Sequence, residues 1–141
     1  MRDVALSPNG EIVVHTGNFI NYVTDSDCKL YIGGINIENK LIDDTYCTPI
    51  TASNDGKMVF YTNNKQHLSV YKDDEIQLLS TGNNYDFWFN NTASEILYVS
   101  DDSTYYLSSD MDEPIKVVEK KLGFINTPYD TEFYWAGTLI L

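Results

Sequence analysis

Apolar runs of three to five residues alternate with short polar breaks along this chain, and the alternation itself repeats. Each repeat is anchored on a charged residue that follows a turn. The anchors are Glu11, Lys57, Glu95 and Glu132, spaced 46, 38 and 37 residues apart. The runs that follow are Ile12-Val13-Val14, Met58-Val59-Phe60-Tyr61, Ile96-Leu97-Tyr98-Val99 and Phe133-Tyr134-Trp135. They are short, β-branched or aromatic, and bounded by Asn, Asp, Gly and Ser, which predicts strands rather than helices. Repetition at this spacing marks a propeller or a β-array.

The turns before the anchors read Ser7-Pro8-Asn9-Gly10, Ser53-Asn54-Asp55-Gly56 and Asn91-Thr92-Ala93-Ser94. Asn-Gly and Asp-Gly favour positive φ and tight hairpins. After Lys57 the pattern predicts strands over 58–62, 67–71 and 76–79. After Glu95 it predicts strands over 96–100, 105–108 and 115–118, with Pro114 as one inserted residue at the start of an outer strand, where a missing N–H is tolerated. The first unit is longer, with outer strands over 29–32 and 40–42 and extra chain around 17–27. Seven residues before each anchor stands an apolar residue: Val4, Ile50, Trp88 and Ile125. A strand therefore precedes each turn as well, and each unit reads as four strands. The second strand is apolar on both faces, as expected when sheets stack face to face.

The predicted fold class is all-β. It comprises about three four-stranded antiparallel blades of propeller type plus a partial fourth, an incomplete β-propeller. The whole of 1–141 forms one domain, with blades over 3–43, 48–80 and 85–119 and a partial blade over 123–141. Propellers typically close with four to eight blades. Three arrangements stay open: a piece of a larger propeller, a subunit that completes a ring by homo-oligomerising, or an open β-array with an apolar end at Thr138-Leu139-Ile140-Leu141.

Composition supports a folded, β-leaning domain, with 43% apolar and 13% aromatic residues, including 11 Tyr. The net charge of −12 excludes nucleic acid and anionic lipid as expected partners, because a cationic patch is needed to displace counterions from phosphate. No apolar run reaches the about 18 residues of a membrane-spanning helix, so membrane insertion is not expected. The start, Met1-Arg2-Asp3-Val4, lacks the cationic stretch and long apolar run of a signal peptide. Cys28 and Cys47 lack a metal-ligand spacing and read as two buried thiols, or as one disulfide if the protein is exported.

The segment Ser53-Asn54-Asp55-Gly56-Lys57-Met58-Val59-Phe60-Tyr61, with Leu68-Ser69-Val70-Tyr71 and Ile76-Gln77-Leu78-Leu79-Ser80, resembles the WD40-like repeat of TolB-type β-propellers. Ser7-Pro8-Asn9-Gly10 and Lys29-Leu30-Tyr31-Ile32 look like a second copy. These motifs specify turns and packing rather than chemistry. The Gly-His and Trp-Asp dipeptides of true WD40 blades are absent. The resemblance implies a platform for protein interaction, often in the bacterial envelope, although a cytoplasmic location fits the sequence too. Related repeats form the gating propeller of prolyl oligopeptidases, but the chain has no Gly-x-Ser-x-Gly elbow.

Candidate chemistry is sparse. His15 and His67 stand without a second ligand at metal spacing and read as strand-face residues. The acidic groups Asp25/Asp27, Asp43/Asp44, Asp73/Asp74/Glu75, Asp101/Asp102 and Asp110/Asp112/Glu113 fall at hairpin positions, where Asp favours turns. Asp25, Asp27, Asp110 and Asp112 are the candidate calcium ligands, though neither stretch matches a full calcium loop. Trp88 and Trp135 fall at core positions. Phe89 and Tyr105 are the candidate binding aromatics. Asn90-Asn91-Thr92 matches a glycosylation sequon. No cofactor is expected, and neither is enzymatic activity. The leading expectation is a non-enzymatic module that binds protein or peptide. The alternative is a carbohydrate- or calcium-binding module. A glycosidase-type enzyme ranks third, because a partial propeller does not assemble a central site alone.

Overall fold

The computed structural model describes residues 3–17, 29–45, 47–81 and 86–119. Twelve strands and no helix occur among them, so none of the described residues forms a helix able to cross a membrane. β1 (Val4–Leu6), β2 (Ile12–Thr16), β3 (Leu30–Gly34) and β4 (Ile37–Asp43) form the first sheet. β5 (Thr48–Ala52), β6 (Met58–Thr62), β7 (Leu68–Lys72) and β8 (Glu75–Ser80) form the second. β9 (Phe87–Phe89), β10 (Glu95–Ser100), β11 (Ser103–Ser108) and β12 (Ile115–Val118) form the third. Each is an antiparallel meander in chain order. The expected all-β class and four-strand unit are therefore observed. The expected fourth unit over 123–141 lies outside the described residues.

One local device starts every second strand. Ser7 N–H donates to Ile12 O and Ile12 N–H returns to Ser7 Oγ, at 2.9 and 3.0 Å. Ser53 and Met58 repeat this pair at 2.9 and 3.0 Å. The side chain two residues on locks the turn, with Asn9 Oδ1 accepting from Ser7 Oγ at 2.6 Å and Asp55 Oδ1 accepting from Ser53 Oγ at 2.6 Å. Gly10 and Gly56 then take φ of 75° and 73°, the left-handed region that glycine enters without a Cβ penalty.

In the third sheet Asn90 does this work. Its N–H donates to Glu95 O at 3.2 Å, and its Oδ1 accepts Glu95 N–H at 3.0 Å. Ala93 holds the left-handed position at φ 54°. The residue matching Glu11 and Lys57 is thus Ser94, one place before the expected Glu95. The sequence pattern misaligned the unit because an amide side chain, and no glycine, serves the turn. Trp88 pairs Leu97 and so corresponds to Ala5 and Thr51, rather than to Val4 and Ile50.

The second strands are apolar on both faces because the sheets stack. Ile12, Val14, Leu30 and Ile32 of the first sheet pack against Ala52, Val59 and Tyr61 of the second. The opposite face of the second sheet, with Met58, Phe60, Leu68 and Val70, packs against Ile96, Tyr98 and Leu107 of the third. Trp88, Leu97 and Val99 form a further buried cluster on the far face of the third sheet. Close approach is built in at Gly34, where a Cβ would lie 2.5 Å from Glu11 O. Cys47 is buried in the first cluster, with its thiol donating to Thr45 O at 3.3 Å. Cys28 lies outside the described residues.

Candidate functional site

An open, shallow cleft of about 530 Å³ lies on the side of the second sheet that faces the first. Its lining includes Asp43, Tyr61, Lys65, His67, Ile76 and Leu78. β4 carries a bulge opposite Leu30 and Tyr31. A bulge turns two successive side chains to the same side. Ile42 accordingly packs in the first core cluster while Asp43 reaches Tyr61 of the second sheet. Tyr61 Oη donates to Asp43 Oδ2 at 2.8 Å, and Asp43 Oδ1 accepts the Thr45 N–H and hydroxyl at 2.9 and 2.7 Å. Burial, and then the Asp43 carboxylate, push the Tyr61 hydroxyl well above the usual tyrosine range. The pair is a fixed polar wall, with the tyrosine held neutral at physiological pH.

The opposite wall is apolar. Alternation along β8 places Ile76 and Leu78 on the cleft side, 51% and 48% exposed. β8 ends its sheet, so one side of its backbone is not engaged in the ladder. The hairpin before it turns through Asp73 and Asp74, both at positive φ (53° and 62°), the geometry of a two-residue primed turn. Asp74 Oδ1 accepts from Lys40 Nζ at 2.8 Å and from Tyr71 Oη at 2.9 Å. Lys40, with the Tyr71 hydroxyl assisting, holds the Asp74 carboxyl below its ordinary range. This exposed group joins β4 to the β7–β8 hairpin beside the cleft, and an exposed pair of this kind serves position more than stability.

The residues singled out from sequence scatter. Asp25 and Asp27 lie outside the described residues. Asp110 and Asp112 are exposed in the turn before β12. Among the described residues no group of three or more His, Cys, Asp or Glu could hold a metal ion. Phe89 is half-buried between the second and third sheets, 4.9 Å from the Phe60 ring, rather than presented to solvent. Tyr105 is half-buried as well, stacked on Tyr98 at 5.5 Å with Lys116 Nζ 6.0 Å from its ring. His15 is buried on β2, stacked on Tyr31 at 5.3 Å, its Nε2 hydrogen-bonded to Asn39 Oδ1 at 2.9 Å. His67 sits in the turn before β7 rather than on the expected strand, its N–H donating to Asn63 Oδ1. The sequon amide of Asn90 is engaged with Glu95 Oε2 and Ser94 Oγ at 2.9 and 3.0 Å. Sequence reasoning missed the cleft because its walls come from β4, β6 and β8. The one local signal was alternation along β8, with Ile76 and Leu78 on the same face.

No family model, curated protein or solved structure matches this chain.

Proposed function

We propose that this protein is a non-enzymatic interaction module of propeller type, with TolB-like repeats, that binds a protein or peptide segment in the cleft between its first and second sheets. One observation carries the reading. Two half-exposed apolar side chains, Ile76 and Leu78, stand on an edge strand and face a polar wall built by Asp43 and Tyr61. An extended segment can pair with a sheet edge through its backbone while its alternate side chains enter such a cleft. The half-buried Phe89 and Tyr105 and the exposed Asp110 and Asp112 give the carbohydrate or calcium alternative less support. A rise in melting temperature with calcium or a glycan would favour that alternative.

The test is selection from a displayed library of extended peptides, followed by NMR titration. Enriched peptides should perturb the amides of Glu75–Ser80 and bind Leu78→Glu at least about tenfold more weakly, the scale of one lost apolar anchor. An unenriched library, or perturbations confined to other strands, would overturn the proposal.

A further inference from the structure

The three sheets end in matching outer strands, β4, β8 and β12. An open edge invites pairing with another chain, and proteins blunt it with bulges, proline and charged side chains, lysine above all. β4 has register shifts at two places along β3 and carries Glu38, Lys40 and Asp43. β12 follows Pro114, has a register shift opposite Thr104 and Tyr105, and carries Lys116. β8 pairs with β7 without interruption from Glu75 to Leu78, and it contains neither proline nor lysine. Of these three edges it is the one least protected against an added strand.

The hairpin fixes which backbone groups face that edge. Asp73 and Asp74 are the central residues of a primed turn between Lys72 and Glu75, and the residues flanking such a turn are hydrogen-bonded to each other. Antiparallel pairs then alternate between hydrogen-bonded and non-hydrogen-bonded. Tyr71–Ile76 is therefore non-hydrogen-bonded, Val70–Gln77 hydrogen-bonded and Ser69–Leu78 non-hydrogen-bonded. The N–H and C=O of Ile76 and of Leu78 thus point away from β7, towards the open edge. These are the two residues whose side chains line the cleft. Charge at the start of β8 is unevenly matched. Lys72 Nζ bonds Asp73 at 2.7 Å, and Lys40 Nζ bonds Asp74 at 2.8 Å. Glu75 is exposed and has no hydrogen bond or ion pair among the described residues.

We infer that the partner of this edge is an antiparallel segment with apolar residues opposite Leu78 and Ile76, a polar residue between them and a lysine or arginine opposite Glu75. This rests on the cleft reading above and names the segment that the cleft takes. Antiparallel pairing is slightly more stable per residue than parallel. A residue opposite Ile76 or Leu78 projects to the same face as they do, into the cleft, and so is apolar. The residue opposite Glu75 stands in a non-hydrogen-bonded pair, where side chains lie closest, and so is a cation. The net charge of −12 favours a cationic segment over a second copy of β8.

NMR hydrogen exchange and titration with the blocked peptides Thr-Val-Thr-Val-Lys-Thr and Thr-Val-Thr-Val-Glu-Thr test this, in about 0.15 M salt to screen distant charges. The lysine peptide should slow exchange at the Ile76 and Leu78 amides, which gain partners, far more than at Gln77, whose amide is already bonded to Val70. It should bind at least about fivefold more tightly than the glutamate peptide, the scale of turning a favourable cross-strand pair into a repulsive one. In Glu75→Gln, at an exposed position where the fold tolerates the change, that preference should fall to within about twofold. A preference unchanged in Glu75→Gln, or protection at Gln77 in place of Ile76 and Leu78, overturns this inference while leaving peptide binding at the cleft standing. Protection of Ile76 and Leu78 that rises with protein concentration without peptide assigns the edge to a second copy and overturns it as well. No response of β8 to either peptide also overturns it, and the library selection then judges the cleft reading separately.

Discussion

Replacing Ser53 by Ala removes one oxygen from the turn that starts β6. Ser53 is fully buried, and its Oγ accepts Met58 N–H at 3.0 Å while donating to Asp55 Oδ1 at 2.6 Å. The methyl that remains fills almost the same space, so no cavity term enters. The Asp55 carboxylate is partly exposed and recovers a water. Burial pushes that carboxyl up, but the Ser53 hydroxyl, Lys57 N–H and the Lys57 charge outweigh it and hold it below its ordinary value. The principal loss is the partner of a buried backbone donor, worth about 1–3 kcal/mol. With about 2.1 cal/mol/K of unfolding entropy per residue, a chain of this length has about 0.3 kcal/mol/K in total. A central loss of about 2 kcal/mol then lowers the melting temperature by about 7 °C. Calorimetry, with urea unfolding to confirm an unchanged slope, is the assay. Asn90→Ser provides the matched comparison. Serine already does this work at positions 7 and 53, so Asn90→Ser should cost less than about 1 kcal/mol, and Asn90→Ala should cost more than Asn90→Ser. A Ser53→Ala protein melting within about 1 °C of wild type would refute the view that these side chains cap the second strands.

Two further outcomes are expected. Trp88→Ala, which empties a core position 6% exposed beside Leu97 and Val99, should cost about 3–5 kcal/mol in denaturant unfolding; a change below about 1 kcal/mol would exclude Trp88 from the core. Alkaline ultraviolet titration should show fewer than the chain's 11 tyrosines ionising while the fold persists. Burial raises the hydroxyls of Tyr61 and Tyr98, and burial together with a hydrogen bond to Glu95 raises Tyr106 to about 12. A raised folded-state value favours the protonated form. This stabilisation is complete below the unfolded value of about 10 and is lost as pH rises through the folded one. All tyrosines titrating together near pH 10 with unchanged circular dichroism would contradict it.

Much of the architecture was legible in order. The runs after Glu11 and Lys57 became β2 and β6, and Pro114 stands immediately before β12. Local chemistry accounts for this. β-branched and aromatic runs bounded by Asn, Asp and Gly specify strands and turns without reference to distant residues. Asp73-Asp74 reads as a turn because Asp tolerates positive φ, and that is where the chain uses it. The third unit was misplaced by one residue because Asn90 and Ala93 perform the roles of Ser and Gly with different side chains, an equivalence visible only in the hydrogen bonds.

The cleft was barely legible: alternation along β8 puts Ile76 and Leu78 on one face, but nothing in the sequence shows what stands opposite them. The reach of Asp43 to Tyr61 depends on a bulge in β4 and on the neighbouring sheet. Phe89 sits against Phe60 because the third sheet stacks on the second. Ile76 and Leu78 have the same composition as buried residues, and only the ending of the sheet at β8 leaves them half exposed. The sequence by itself determined the strands, their turns and their grouping into four, because these follow from neighbours a few residues apart. Tertiary structure alone decided which apolar faces are covered, because burial depends on what another sheet places opposite each strand.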